Sequence, residues 1–342
     1  MTDAAAPARS GVLSLPGRAV IAVARQRELS LVLIMLVLIG LVTLRAPQFL
    51  SAGNLTQLTV LASIIAIAAV GQALVVITRN VDLSVESTIG LVALVVADVL
   101  SQQLLPVPLA WALGLGLGLV LGMINGIVVT VFRVPAIVAT LGTLSIYRGL
   151  AFVLAGGTQV TLTQLPPGYT APARWDIFGV PLFVVIAVIV TVVVGVAVRQ
   201  WRFGRQIYAV GSNPEAAETL GIRTGFVVFS VFAASGLLAG LAGILWGLEF
   251  GTINATAASG VVLQVIAAVV VGGVNIFGGS GTVFGAALGA LFLAVISSSL
   301  IVLRLSQFWL QAIYGAVILA AVSADALILR RVQRLLAERR RA

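Results

Sequence analysis

Long apolar runs separated by short polar breaks fill the chain from about residue 29 to residue 327. Cut at charges, prolines and glycine clusters, the region gives ten runs, at about 29–44, 58–77, 87–104, 109–131, 136–155, 178–198, 226–248, 261–273, 282–303 and 308–327. Most approach the ~20 residues that a helix needs to cross a bilayer. In hydrocarbon a run of this kind satisfies its backbone polar groups as a helix. The pattern therefore predicts an all-α polytopic membrane protein of about ten transmembrane helices over 29–327. An N-terminal tail over 1–28 and an Arg-rich tail over 328–342 flank it. The first run leads into Arg45-Ala46-Pro47 rather than a small-residue cleavage site, so it reads as a retained span.

Two runs carry a further pattern. Gly114, Gly118, Gly122 and Gly126 recur every four residues, which places them on one helix face and permits close helix approach. The glycine-rich runs 109–131 and 282–303 are each followed by an Arg and then by Ile-Tyr, at Ile146-Tyr147 and Ile313-Tyr314. This faint echo, with the halves running oppositely, is the trace an inverted repeat leaves.

The longest polar break between strongly apolar runs is 199–225, centred on Gly204–Gly225. Ser212 and Glu215 have capping-box spacing, Pro214 suits a first turn and Gly221 a helix stop. A short exposed helix near 212–220 is expected there. A second break, Thr78 to Glu86, holds Arg79, Asp82 and Glu86.

Composition agrees with the pattern. The chain is 60% hydrophobic and 9% charged, where a soluble domain has about 25% charged residues. No polar segment is long enough for a separate soluble domain. The net charge is +9 and every basic residue is Arg. With both termini in the cytoplasm, 16 of the 20 Arg fall on the cytoplasmic side, Arg45, Arg174 and Arg304 outside, and Arg148 within a span. That asymmetry is a membrane topology signal and not a nucleic-acid one. It puts 199–225 in the cytoplasm.

The missing residue types exclude chemistry. Without Cys or His there is no thiolate or imidazole, so no catalytic or metal-binding group is assigned. Without Lys there is no standard phosphate loop. If ATP drives this protein, another chain hydrolyses it, and 199–225 becomes a docking site. Gly278-Gly279-Ser280-Gly281 reads as a tight turn.

Charges within an apolar region are functional candidates by default. Asp82 and Glu86 either pair with Arg79 in a solvated turn or belong to a broken helix lining a path. Arg148 either pairs with an acid on a neighbouring helix or joins that path. Asp98 and Asp325 sit near span ends and face headgroups. Asn125 and Thr140 either hydrogen-bond a hydroxylated solute or join helix to helix, as do Gln72, Thr143, Ser145, Gln264 and serines 297–299. The expected substrate path is Asp82, Ser84, Glu86, Asn125, Thr140 and Arg148.

Four motifs in order resemble sugar permeases of bacterial ABC importers, of the ribose, rhamnose and autoinducer-2 type, in the branched-chain amino acid/ribose permease family. They are Thr78-Arg79-Asn80-Val81-Asp82-Leu83-Ser84-Val85; Pro135 to Thr143 with Tyr147-Arg148-Gly149; Gly204 to Ile222; and Gly272-Gly273 with Gly278 to Thr282 and Gly285. The resemblance covers about residues 30–325. It implies a multi-pass permease of the bacterial cytoplasmic membrane, working with a second permease chain (identical or not), an ABC ATPase and an extracytoplasmic solute-binding protein. This chain would bind no cofactor, ATP and Mg being used by the ATPase. The resemblance places ATPase coupling at Arg205, Asn213, Glu215, Ala217 and Gly221. Asn80 and Glu86 stand where the family usually has glycine. The alternatives are an ion-coupled secondary transporter using Asp82 or Glu86, and an importer of amino acids or nucleosides.

Overall fold

A computed structural model of the chain describes residues 27–320 and Ser323. Residues 1–26 of the expected tail over 1–28, the expected tail over 328–342, and Asp325 lie outside the described residues. Among the described residues, ten helices occupy the ten expected positions. Seven are long and apolar enough to cross a membrane: α1 (Arg27–Arg45), α2 (Ala52–Ile77), α4 (Val107–Thr130), α5 (Ala136–Ala155), α6 (Leu182–Gln200), α9 (Thr224–Phe250) and α11 (Val283–Val302). Three are shorter: α3 (Val85–Ser101), α10 (Val261–Val271) and α12 (Trp309–Ala320). α7 (Arg202–Ser212) and α8 (Pro214–Thr219) lie between α6 and α9.

Apolarity all round a helix predicts burial all round it, and α2 obeys. Every residue from Ala62 to Ile77 is buried, so α2 is the centre of the bundle. α3 is buried along most of its length beside it. α5 instead leaves Ile137, Val138, Leu141 and Val153 exposed on its outer face, as a lipid-facing helix would.

The glycine row of α4 is a seam against α9. A Cβ on Gly122 would come 2.3 Å from the Phe232 carbonyl oxygen, and one on Gly236 2.3 Å from that of Gly118. Nothing larger than hydrogen fits at this crossing. Gly116, off the row, faces open space.

The long α5–α6 connection is stapled to the end of α9. Val160 and Ile253 exchange two backbone hydrogen bonds of 2.9 Å. Tyr169 is fully buried and its hydroxyl donates to the Ile244 carbonyl at 3.0 Å. A two-stranded hairpin, β1 (Asp176–Ile177) and β2 (Val180–Pro181), leads into α6.

Two expectations need correction. Residues 202–212 are helical, and Ser212 ends α7 rather than capping the next helix. The cap is Asn213, whose side-chain oxygen accepts from the Ala216 N–H at 3.1 Å. The reason is Pro214, which forces the residue before it out of the helical region; Asn213 is extended, at φ −157°. The third apolar helix starts at Val85 rather than residue 87, so Glu86 is in its first turn.

Candidate functional site

Arg79, next after the Thr78 cap of α2, adopts φ +65°, a left-handed conformation uncommon for a non-glycine residue. Its guanidinium turns away from Asp82 and Glu86. Nε donates to the Gly211 carbonyl and Nη2 to the Ser212 carbonyl, each at 2.5 Å. The C-terminal end of α7 carries the negative pole of its dipole, so an Arg belongs there. The solvated turn of Arg79 with Asp82 and Glu86 is therefore not formed.

The glycine turn at Gly278 to Gly281 closes over the same place. The Gly279 N–H donates to the Ile77 carbonyl at 2.9 Å, and the Tyr208 hydroxyl donates to the Gly281 carbonyl at 2.8 Å. Burial pushes the Tyr208 hydroxyl pKa up. A Cβ on Gly211 would lie 1.7 Å from the Ile77 oxygen, so only glycine allows α7 this close to α2.

Just beyond Arg79, four of the named path residues meet. Asp82 Oδ1 accepts from the Ser84 N–H at 2.9 Å and from the Ser84 hydroxyl at 2.7 Å. Asn125 Nδ2 on α4 donates to Ser84 Oγ at 2.8 Å. Thr140 Oγ1 on α5 lies 3.2 Å from the Val81 carbonyl oxygen and 2.8 Å from that of Ala136. Gln72 on α2, with its amide oriented to satisfy both ends, pairs with the backbone of Asp82 at 3.1 and 3.2 Å. All four side chains are buried, and Asn125 Oδ1 has no partner. The segment 80–84 is thus stitched to three helices.

Glu86 and Arg148, the other two path residues, meet at the first turn of α3. Glu86 Oε2 accepts from the N–H groups of Gly260 and Val262, at 2.8 and 3.3 Å. These are the first donors of α10, and a carboxylate is the favoured group at a helix N-terminus. Glu86 Oε1 stands 3.7 Å from Arg148 Nη2. Arg148 Nη1 donates to the carbonyls of Ala255 and Ala257 at 2.9 and 2.8 Å.

α10 has 11 residues, a rise of about 16 Å and half a bilayer. It is a half-helix whose N-terminus is held inside the bundle by Glu86, while Arg148 holds the strand of chain before it. Neither Gly260 nor the carbonyls before it were expected at this site. The signal available was the short run 261–273 behind a polar, glycine-containing stretch, the mark of a discontinuous helix.

The expected coupling residues lie on α7, α8 and the turn after them. Arg205, Asn213, Glu215 and Gly221 are exposed, while Ala217 is buried beneath α8. Gly221 has φ +79° and ends the short helix, as its position predicts. This face lies at one end of the bundle, directly behind Arg79.

Comparison with known proteins bears on what such a bundle is for. The family described as "Branched-chain amino acid transport system / permease component" matches residues 54–322. The chain belongs to this permease family. It is also similar to curated relatives over most of its length. The autoinducer 2 import system permease protein LsrC of Enterobacter sp. (strain 638) is 38% identical over 288 residues, 83% of this chain and 82% of the relative. The protein of the same name in Photorhabdus luminescens is 36% identical over 284 residues, 83% and 85% of the two chains. That of Salmonella paratyphi B is 36% identical over 262 residues, 77% and 75%. No solved structure matches. The chain is thus a multi-pass bacterial inner-membrane protein and a transport subunit, not an enzyme.

The permease has a cavity of about 750 Å³ with mixed polar and apolar walls at the end away from α7 and α8, between the α5–α6 connection and the end of α9. Arg174, Trp175, Glu249 and Thr252 are among its walls. A second cavity, of about 430 Å³, lies between α2, α6 and α11 and is almost wholly apolar. The path residues line neither of these two cavities.

Proposed function

We propose that this permease moves a sugar or sugar-like solute through the inner membrane, coupled to a separate ABC ATPase seated on the α7–α8 face. The observation that carries the reading is the wiring of that face. α8 is short and exposed, and the junction before it is bonded through Arg79 to the segment 80–84, in which Asp82 and Ser84 are buried. A partner pushing on α8 would therefore act on the centre of the bundle. The absence of Lys supports the separate ATPase, which would use ATP and Mg. The Arg distribution supports a cytoplasmic α7–α8 face and cytoplasmic termini. The larger cavity, with Arg174 and Glu249 in its walls, would then open outward, where a solute-binding protein would deliver its cargo. A second permease chain would complete the pathway.

The curated relatives are named for import of autoinducer 2, and the same class of solute is inferred here. Asp82, Ser84, Glu86, Asn125, Thr140 and Arg148 are proposed to act along the path by exchanging their present partners as the bundle opens. Arg205, Asn213, Glu215 and Gly221 are proposed to present the docking face, and Ala217, buried on the inner side of α8, to seat that helix on the bundle.

The test is Glu215→Arg. The variant is expected to insert and fold as the parent does, to lose the co-purifying ATPase, and to lose ATP-driven uptake in proteoliposomes. Parental retention of both would overturn the docking assignment.

A further inference from the structure

We propose that Arg79 is a positioning residue that transmits displacement of α8 to the buried cluster of Asp82, Ser84 and Asn125. The proposal rests on the coupling reading above and adds the residue through which coupling passes.

Three observations carry it. Arg79 grips the α7–α8 junction itself, because its two acceptors are the last two residues of α7. The grip is tight. Gly278 packs over the Arg79 stem so closely that a Cβ there would lie 2.3 Å from Cγ, and Gly211 leaves no room to slide along Ile77. The backbone at Arg79 holds φ +65°, the left-handed turn that ends α2, and the side chain leaves the helix there to reach the end of α7.

From Arg79 the chain reaches Ser84 in five residues. Along that stretch Val81 is bonded to Thr140 of α5, Asp82 to Gln72 of α2, and Ser84 to Asn125 of α4. One residue past Val85, Glu86 holds the N-terminus of the half-helix α10. A bonded route therefore runs from the face outside to the charged pair inside.

The experiment has two arms. The chain contains no Cys, so Thr219→Cys on α8 and Gln102→Cys beyond α3 can be spin-labelled without background. In the purified permease, Arg79 intact gives one narrow distance distribution, and Arg79→Ala broadens it. In the assembled transporter, Arg79→Ala keeps the ATPase bound and hydrolysing while solute uptake per ATP falls about tenfold or more. Arg79→Lys, which keeps a donor for one carbonyl, recovers part of that loss.

Unchanged distances with unchanged uptake per ATP would overturn the proposal. So would loss of uptake together with loss of the bound ATPase, since that is a docking or folding defect. If uptake by the parent needs no ATP, the coupling reading fails separately, and the label distances still judge the Arg79 link.

Discussion

Glu86 accepts from two backbone N–H groups and faces Arg148, partners that lie far from it in sequence. Removing it leaves the Gly260 and Val262 N–H groups without their acceptor, and leaves Arg148, still bonded to Ala255 and Ala257, without its counter-charge. Each unsatisfied buried group costs about 1–3 kcal/mol. Glu86→Ala is therefore expected to lower stability by at least about 2 kcal/mol, read as a lower midpoint of thermal unfolding in detergent. Glu86→Gln keeps an acceptor oxygen for α10 and is expected to lose less. Equal losses would mean that Glu86 acts through its charge and not as a cap. Asn213→Ala removes the α8 cap and should cost about 1 kcal/mol, seen as faster amide exchange confined to α8. At this scale the sequence was legible in one sense. Asp82, Ser84, Asn125 and Thr140 stand out as polar groups in apolar surroundings, and the structure brings them together. The role of Glu86 was not legible. Its partners are backbone N–H groups some 174 residues away, which no side-chain pattern marks.

The α4–α9 seam shows how an element is specified without polar groups. Water-driven burial does not hold helices together in a lipid environment, so close packing of small residues has to do it. Gly122→Leu is expected to force α4 from α9 and to lower the yield of folded protein. Gly116→Leu, pointing into open space, is expected to leave it unchanged. If Gly116→Leu were as damaging as Gly122→Leu, the seam would not be the cause. The four-residue glycine spacing announced the seam but not its partner, because α9 has several glycines of its own. The break between α7 and α8 was placed one residue early, since Ser212 and Asn213 are both good caps and only the backbone bias before Pro214 separates them. The half-helix α10 looks like an ordinary span in the sequence, because run length alone does not tell where in the bilayer a helix begins.

For the whole molecule, apolar run lengths were enough to locate the ten helices at their positions along the chain. Run lengths do not tell which helix is central. That emerges from α2, whose apolar residues extend round the whole helix. Function follows from how two regions are joined. The exposed α7–α8 face and the buried cluster are tied through Arg79, and the charged pair at Glu86 and Arg148 lies next along α3. A device driven from outside the bundle needs such a tie, whereas an ion-coupled transporter needs a carboxylate free to bind and release its ion. Glu86 is already engaged by two N–H groups and faces Arg148. The energy source therefore separates the two accounts most directly. The decisive measurement is uptake of a labelled sugar-like solute of the autoinducer-2 class into proteoliposomes holding the permease, with and without its ATPase and binding protein. The account predicts uptake only when ATP and both partners are present, and none from a proton gradient alone. Uptake driven by a proton gradient through the permease by itself would contradict it.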